Sequence, residues 1–360
     1  MHIPDGYLGP QTYVPLYAVM AGFWTVGIRK LKNSLRMRQV PLLAMGAAFS
    51  FVIMMFNVPI PGGTTGHAVG AVLVAILLGP WAAMVAVSLA LIVQALIFGD
   101  GGISAIGANC FNMAVVMPFV GWWVYRLITG SSPVQSTRRW IGGAIAGYSG
   151  LCVAAAITGF EVGLQPMLAH DALGHALFAP FGLQIAVPAM ALEHLLVFGF
   201  VEAVVTGLVV AYFQKTAPEM IVPSVKVISD KKKMPLIQRI AIFMGILILL
   251  APLGIYLPAK FNAGSAWGEW SSNEIKTEIA KETGGEGYVP QGIAQAEEHG
   301  WKAPFPDYNL PGQENAPLSK LMSIYILMGA IGVIISGFIV MFGKQLFAKK
   351  DDDDTTSVDA

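Results

Sequence analysis

The residues best equipped for chemistry stand at the start of the chain, Met1-His2-Ile3-Pro4-Asp5-Gly6-Tyr7. A terminus that begins Met-His offers three nitrogens: the Met1 amine, the backbone nitrogen of His2 and the Nδ1 of its imidazole. Around one metal ion they close a five-membered and then a six-membered ring. His67, which follows Gly62-Gly63-Thr64-Thr65-Gly66, is the natural source of a fourth nitrogen. A planar set of four nitrogens selects Ni(II) or Cu(II), whereas Mg(II) and Mn(II) prefer oxygen ligands. By the Irving–Williams order copper binds such a set at least as tightly as nickel, so its exclusion rests on availability. The amine and the amide must lose protons to bind, so affinity falls as pH falls. Each histidine has a plainer reading: His2 as a frayed terminal residue, His67 as the first residue of a capped helix.

Several other side chains qualify as ligands or supports. Gln94, Asp100, Asn109 and Asn112 cluster near the ends of two apolar runs and are expected to orient His67 or the Met1–Pro4 segment. His170 and His175, with Asp171 between them, form a weaker alternative metal pair in a loop. Glu193 and His194 sit near the outer end of an apolar run, where they can reach water. Glu202 lies near mid-run, where a carboxylate is costly and is expected to bond to neighbouring helices. His299 has no assigned role. Cys110 and Cys152 fall inside apolar runs and read as small core residues rather than a disulfide or metal pair. No Gly-x-x-x-x-Gly-Lys-Ser/Thr loop occurs, so ATP hydrolysis is not expected of this chain itself.

The elements that must hold these residues are membrane helices. With 55% hydrophobic and 12% charged residues, and a mean hydropathy of +0.63, the chain is no ordinary soluble domain. A net charge of zero gives no pointer to nucleic acid. The expected fold is all-α, a polytopic integral membrane bundle in the lipid bilayer. Nine spans are expected, at about 11–28, 41–57, 67–79, 81–98, 104–126, 140–163, 188–213, 236–257 and 318–343. The third is short and needs buried backbone beside it. Basic clusters follow spans one (Arg29 to Arg38), five (Arg126, Arg138, Arg139), seven (Lys215 to Lys233) and nine (Lys344 to Lys350). All four share one side if there are nine crossings, which puts the N-terminus outside and the C-terminus in the cytoplasm. Residues 1–10 lack the features of a secretory signal, so Met1 is expected to be the mature terminus.

Two modules follow: a seven-span unit over 1–215, and a two-span unit over 236–346 after a basic cytoplasmic linker, 216–235. The second unit carries a long, acidic, Gly/Pro-rich external loop, 258–317. The tail, 347–360, reads as disordered. Small-xxx-small spacing at Ala18–Gly22 and Ala44–Ala48 offers close packing, within the chain or onto a partner.

These residues resemble a known family. The opening Met-His-Ile-Pro-Asp-Gly, the Gly62–His67 loop, Leu-Leu-Gly-Pro-Trp-Ala-Ala at 77–83, Gln-Ala-Leu-Ile-Phe-Gly-Asp-Gly-Gly at 94–102 and Gly-Ala-Asn-Cys-Phe-Asn-Met at 107–113 are similar to the substrate-capture M subunit of nickel/cobalt energy-coupling-factor transporters. The Glu193–Thr206 helix continues the match. Pro-Asp-Tyr-Asn-Leu-Pro-Gly at 306–312 before the last span resembles the small N subunit, here fused to M. The resemblance implies a transmembrane coupling subunit and cytoplasmic ATPases on separate chains. It also implies that Met1, His2 and His67 hold Ni(II) or Co(II), with no organic cofactor. Two rivals from other classes remain. A stand-alone channel or secondary transporter needs a polar path through the bilayer, for which intramembrane charges are few. A membrane enzyme needs an open coordination position, which a closed four-nitrogen site lacks.

Overall fold

The computed structural model describes residues 1–60, 64–222, 234–263 and 270–347. The expectations for Gly62, Gly63, Lys226, Lys231 to Lys233, Lys349, Lys350 and the acidic tail lie outside those residues. Each of the nine expected spans is represented by a helix: α1 (Pro10–Ser34), α2 (Val40–Met54), α3 (Ala71–Leu78), α4 (Pro80–Phe98), α5 (Ile106–Thr129), α6 (Thr137–Leu168), α7 (Leu183–Thr216), α8 (Leu236–Phe261) and, after two short helices described below, α11 (Leu318–Phe342). Six of them, α4 to α8 and α11, are both long and apolar enough to cross a membrane. Helix α1 has the length, at 25 residues, but is less apolar.

The third span is composite. Eight residues of α3 rise about 12 Å, well short of a hydrocarbon core of about 30 Å. The irregular stretch 67–70 before it, which ends on a left-handed Gly70 (φ 71°), is buried in protein. Such a break is tolerated only where its amides find partners. Glu202 of α7 supplies them: its Oε2 accepts from the backbone N–H of Val69 (2.8 Å) and Gly70 (3.1 Å). The expected role of Glu202 in a helix-bridging network thus takes a specific form, capping α3 directly after His67. Gly79, at φ 90°, then reverses the chain, and Pro80 opens α4 where its missing N–H costs nothing.

A two-stranded hairpin, β1 (Val58–Ile60) with β2 (Thr64–Gly66), delivers His67 to this break. Helix α6 is central, packed between α5 and α7. Small residues permit the close approach: a Cβ at Gly150 would fall 2.7 Å from the Met117 carbonyl oxygen, and one at Gly159 2.8 Å from that of Ala186. The second module is not a separate body. Its α11 lies along α2, and Tyr325 Oη donates to the Met55 carbonyl (2.7 Å). Of the two small-residue faces, Ala44 and Ala48 are buried within the chain, whereas Ala18 and Gly22 are exposed.

The 258–317 region, expected as a long loop, holds two short amphipathic helices, α9 (Ser272–Thr283) and α10 (Gln291–His299). A capping box explains the first: Ser271 accepts from the Glu274 N–H while Glu274 reaches back to Ser271. Ile275, Ile279 and Ile293 from these helices pack with Ile3, Tyr7 and Leu8 of the N-terminal segment. Burying Ile3 and Leu8, 2% and 1% exposed, contributes roughly 1.5–3 kcal/mol each to seating that segment.

Candidate metal centre

The N-terminal segment is threaded into the bundle by a dense set of hydrogen bonds. Asn109 clasps Ile3 from both sides: its Oδ1 accepts from the Ile3 N–H (2.8 Å) and its Nδ2 donates to the Ile3 carbonyl (3.1 Å). Gly102 N–H donates to the same carbonyl (2.9 Å). Asp5 accepts from the backbone N–H groups of Ile103 (3.0 Å) and Ser104 (2.8 Å). The approach is close enough that a Cβ on Gly102 would lie 2.2 Å from the Asp5 nitrogen, so glycine at 102 is a steric requirement. Met1 is 2% exposed, and its amine donates to the Thr65 carbonyl (3.0 Å) in β2.

This threading brings His2 onto His67. Their rings stack with centroids 4.9 Å apart and 26° between planes. His67 is fully buried, and its Nδ1 lies 3.1 Å from the Ala68 carbonyl oxygen. An acceptor there places the proton on Nδ1 and the lone pair on Nε2. That Nε2 is buried with no partner among the described residues, and the Nε2 of His2 is in the same position. Burial lowers the His2 pKa, against the opposing pull of the Asp100 carboxylate and together with the positive terminus, which favours the neutral imidazole that a metal requires. Orphaned buried nitrogens are expensive unless something fills them.

Two features refine the expected chelate. First, closing the six-membered ring needs His2 Nδ1, yet this nitrogen faces Asp100 Oδ1 at 3.1 Å. The imidazole must turn for the chelate to form. Second, among the described residues no three His, Cys, Asp or Glu side chains converge as a metal cage.

The remaining candidates divide sharply. Asp100 pairs with His2 and Asn109 holds Ile3. Gln94 lies against the His2 ring, and its Nε2 donates to Tyr308 Oη (2.8 Å), whose hydroxyl in turn donates to Asp100 Oδ2 (2.6 Å). Asn112 does not orient either ligand: its Nδ2 donates to Glu161 Oε2 (2.7 Å) on α6. A π-turn runs over Phe111–Val116 and contains Asn112, whereas Asn109 lies in the α-helical turn before it. Further π-turns lie at Gln94–Phe98 and His194–Phe198, and such turns recur at functional sites. Glu193 and His194 do not reach water; they are 7% and 0% exposed, and His194 Nδ1 is 2.8 Å from the Met190 carbonyl. His170 and His175 are not brought to His2. His175 stacks on Tyr288 (4.3 Å) with its Nδ1 3.3 Å from Asp171, and His170 is exposed. His299 is exposed on α10. Cys110 and Cys152 are both buried free thiols.

Tyr308 was not among the residues expected at the site. It comes from the second module, more than 200 residues from Asp100 in sequence, and it stacks on Phe98 (4.9 Å, 21°). Its only signal in sequence was its place in the Pro-Asp-Tyr loop. Met1 and His2 open on a cavity of about 470 Å³ whose lining includes Asp100, Asp307 and Tyr308 but not His67.

Residues 2–220 match a family model described as the cobalt uptake substrate-specific transmembrane region. A fused nickel transport protein from Rhodobacter capsulatus is 45% identical over 97% of this chain and 99% of its own length. A probable fused nickel transport protein from Lactiplantibacillus plantarum is 41% identical over 96% and 98%. A crystal structure of a truncated transition metal transporter is 53% identical with a TM-score of 0.58, covering 60% of this chain and 99% of that one.

Proposed function

This chain belongs to the cobalt-uptake substrate-specific transmembrane family, and on that premise we propose that it is the ion-capturing membrane subunit of an ATP-driven, energy-coupling-factor importer of Ni(II), with Co(II) as the second cargo. The observation that carries the reading is the burial of the Met1 amine beside two stacked imidazoles whose Nε2 atoms have no partner among the described residues. The relatives that span nearly the whole chain, fused second module included, are named as nickel transport proteins, which favours nickel over cobalt.

Capture proceeds from the outer side. The Met1 amine and the His2 amide give up protons, the His2 ring turns Nδ1 from Asp100 to the ion, and His67 closes the plane. Planar nitrogen ligation suits Ni(II) and rejects the oxygen-seeking Mg(II) and Mn(II). Asn109 and the Asp5 carboxylate hold the backbone so that only the last turn of chain rearranges. In this reading the N-terminus faces outward across the cell membrane and the C-terminus the cytoplasm, an orientation supported by the basic clusters. ATP hydrolysis belongs to separate cytoplasmic subunits, joined through a transmembrane coupling subunit. The exposed Ala18–Gly22 face of α1 is available for that docking, whereas the Ala44–Ala48 face is consumed internally. No organic cofactor is required.

The test is metal content after equilibration with Ni(II) or Co(II), comparing the native terminus with a chain carrying one alanine before Met1. The extension keeps every side chain and displaces the amine from the chelate. Loss of Ni(II) and of the yellow planar-nickel absorption is expected. Undiminished binding would exclude the amine and move the site to side chains alone.

A further inference from the structure

We propose that the seam between the two modules is a binding site for an anionic phospholipid, with the headgroup on Arg239 and an acyl chain in the groove beside it. The groove, of about 600 Å³, lies between α2, α3 and α7 of the first module and α8 of the second. Its volume falls in the range of about 300–1,000 Å³ that ligand sites occupy. Its walls are Leu, Ile, Val, Met and Phe side chains, and Tyr212 and Arg239 are the only polar side chains among its described lining residues. Leu208 on α7 and Ile246 on α8 remain 65% and 50% exposed, on helices long and apolar enough to cross a membrane. The groove therefore opens toward lipid.

Arg239 is the misfit that calls for a ligand. It stands in the first turn of α8, and an arginine within a span is costly unless it meets a partner or a wet cavity. Its Nε is buried with no hydrogen-bond partner, and no Asp or Glu among the described residues stands within ion-pair distance. An arginine that merely snorkelled would carry its charged head into water. This one leaves a buried donor unpaired beside an apolar groove. A phosphodiester supplies the missing acceptors, because the guanidinium fork matches phosphate oxygens, while an acyl chain matches the walls. Basic pockets between spans on the cytoplasmic side are where anionic headgroups bind.

The depth of the groove selects a lipid over a partner's helix. The lining runs from Leu42 to Phe49 on α2 and from Arg239 to Ile246 on α8, about 10 Å along each helix. One leaflet's hydrocarbon is about 15 Å deep, half of the bilayer core. The groove thus serves a single leaflet, with Arg239 at the end where α8 begins, whereas a transmembrane partner needs a face that runs the whole core. Naming that leaflet as the cytoplasmic one rests on the orientation proposed above; the site itself does not depend on the metal reading. Phe49 of α2 and Phe243 of α8 stack across the seam (6.3 Å, 28°), so a lipid seated here touches both modules and fastens one to the other.

The experiment is native mass spectrometry of the full chain in detergent, with added phosphatidylglycerol or phosphatidylcholine of identical acyl chains. Phosphatidylglycerol should be held about fivefold more tightly, the effect of one basic side chain at an anionic headgroup. Arg239→Gln should bring that preference below about twofold, and Arg239→Lys should restore most of it. Arg126→Gln, which alters an exposed arginine lying over Trp122 outside the groove, should leave it intact. Leu208→Trp, which fills the groove, should weaken retention of both lipids. Equal retention of the two lipids by the native chain, or an undiminished preference in Arg239→Gln, would overturn the site. If Arg239→Gln keeps the lipid preference but loses co-purification of a transmembrane coupling subunit, the groove belongs to a partner helix and the lipid assignment fails. Detergent presents no leaflets, so an inverted topology leaves these outcomes unchanged, and Ni(II) content of the same samples reads the capture site separately.

Discussion

The chain carries two clusters of two histidines and an aspartate outside its long helices, and they are built in opposite ways. In His2, His67 and Asp100 the histidines come from segments 65 residues apart, stacked and buried, each with an unpartnered Nε2. In His170, His175 and Asp171 they come from a single turn. Asp171 accepts from the backbone N–H groups of Leu173 and His175 (both 2.8 Å), and Tyr288 covers the His175 ring. The second cluster already satisfies itself at the surface. The first leaves lone pairs in a place water reaches poorly, and that residual demand is what a cargo ion can meet. Residue type is shared between the two; burial without a partner is what separates them.

The widest gap between the clusters is expected in metal affinity. His67→Ala should weaken Ni(II) binding by more than about 100-fold, beyond the 10- to 100-fold that supporting partners are worth. The double change His170→Ala with His175→Ala should shift it less than about twofold. Isothermal titration on both variants decides, and an equal loss in both would erase the distinction.

The break before α3 comes next. Glu202→Ala leaves the Val69 and Gly70 amides without their shared acceptor in a buried site, which costs about 2 kcal/mol of stability. Glu202→Gln retains one acceptor oxygen and should cost less than half as much. Thermal unfolding in detergent, followed by tryptophan fluorescence, ranks the two. If they fall equally, the carboxylate acts through its charge rather than as a cap.

Asn109→Ala removes both clasps on Ile3 and should reduce Ni(II) affinity about tenfold by loosening the terminus while sparing every ligand. The same substitution at Asn112, which bonds Glu161 instead, should leave affinity within about twofold. Together the two variants check which asparagine serves the site.

How much of this was legible in the sequence follows from the range of each interaction. The Met-His terminus, the Gly-flanked His67 and the Asp100–Asn109 neighbourhood announce themselves, because short spacings and turn residues leave few alternatives. The composite third span was legible as a weakness, but its remedy was not: Glu202 lies more than 130 residues from the amides it caps. Asn112 was grouped with the others because it lies near the end of the same apolar run, and its actual partner, Glu161, is 49 residues away in sequence. Glu193 and His194 were expected near water because span ends are ordinarily exposed, while packing buried them here. Tyr308 was beyond reach for a different reason: its position depends on two left-handed residues and on the second module folding back over the first.

The smallest expected effect sets two outer carboxylates against each other. Asp171 is surface-exposed and held below its usual value of 3.8, first by the backbone hydrogen bond from His175. Asp307 keeps solvent-exposed surface, yet its carboxyl is raised above 3.8, first by desolvation from the groups packed around it and then by the Asp100 charge. The signs are opposite under linkage. For Asp171 the contribution to local order is present above 3.8 and is lost as pH falls through the lowered folded value. For Asp307 docking is favoured below 3.8, and that advantage is lost as pH rises through the raised folded value. Acidification from neutral pH toward 3.8 should therefore leave hydrogen exchange in the 170–176 turn unaffected beyond its intrinsic change, while slowing it across 301–310. Asp307→Asn should abolish the pH response of the second segment alone. A parallel response in both segments would mean that their surroundings do not distinguish these carboxylates, and the contrast drawn from the two clusters would not extend to the loops around them.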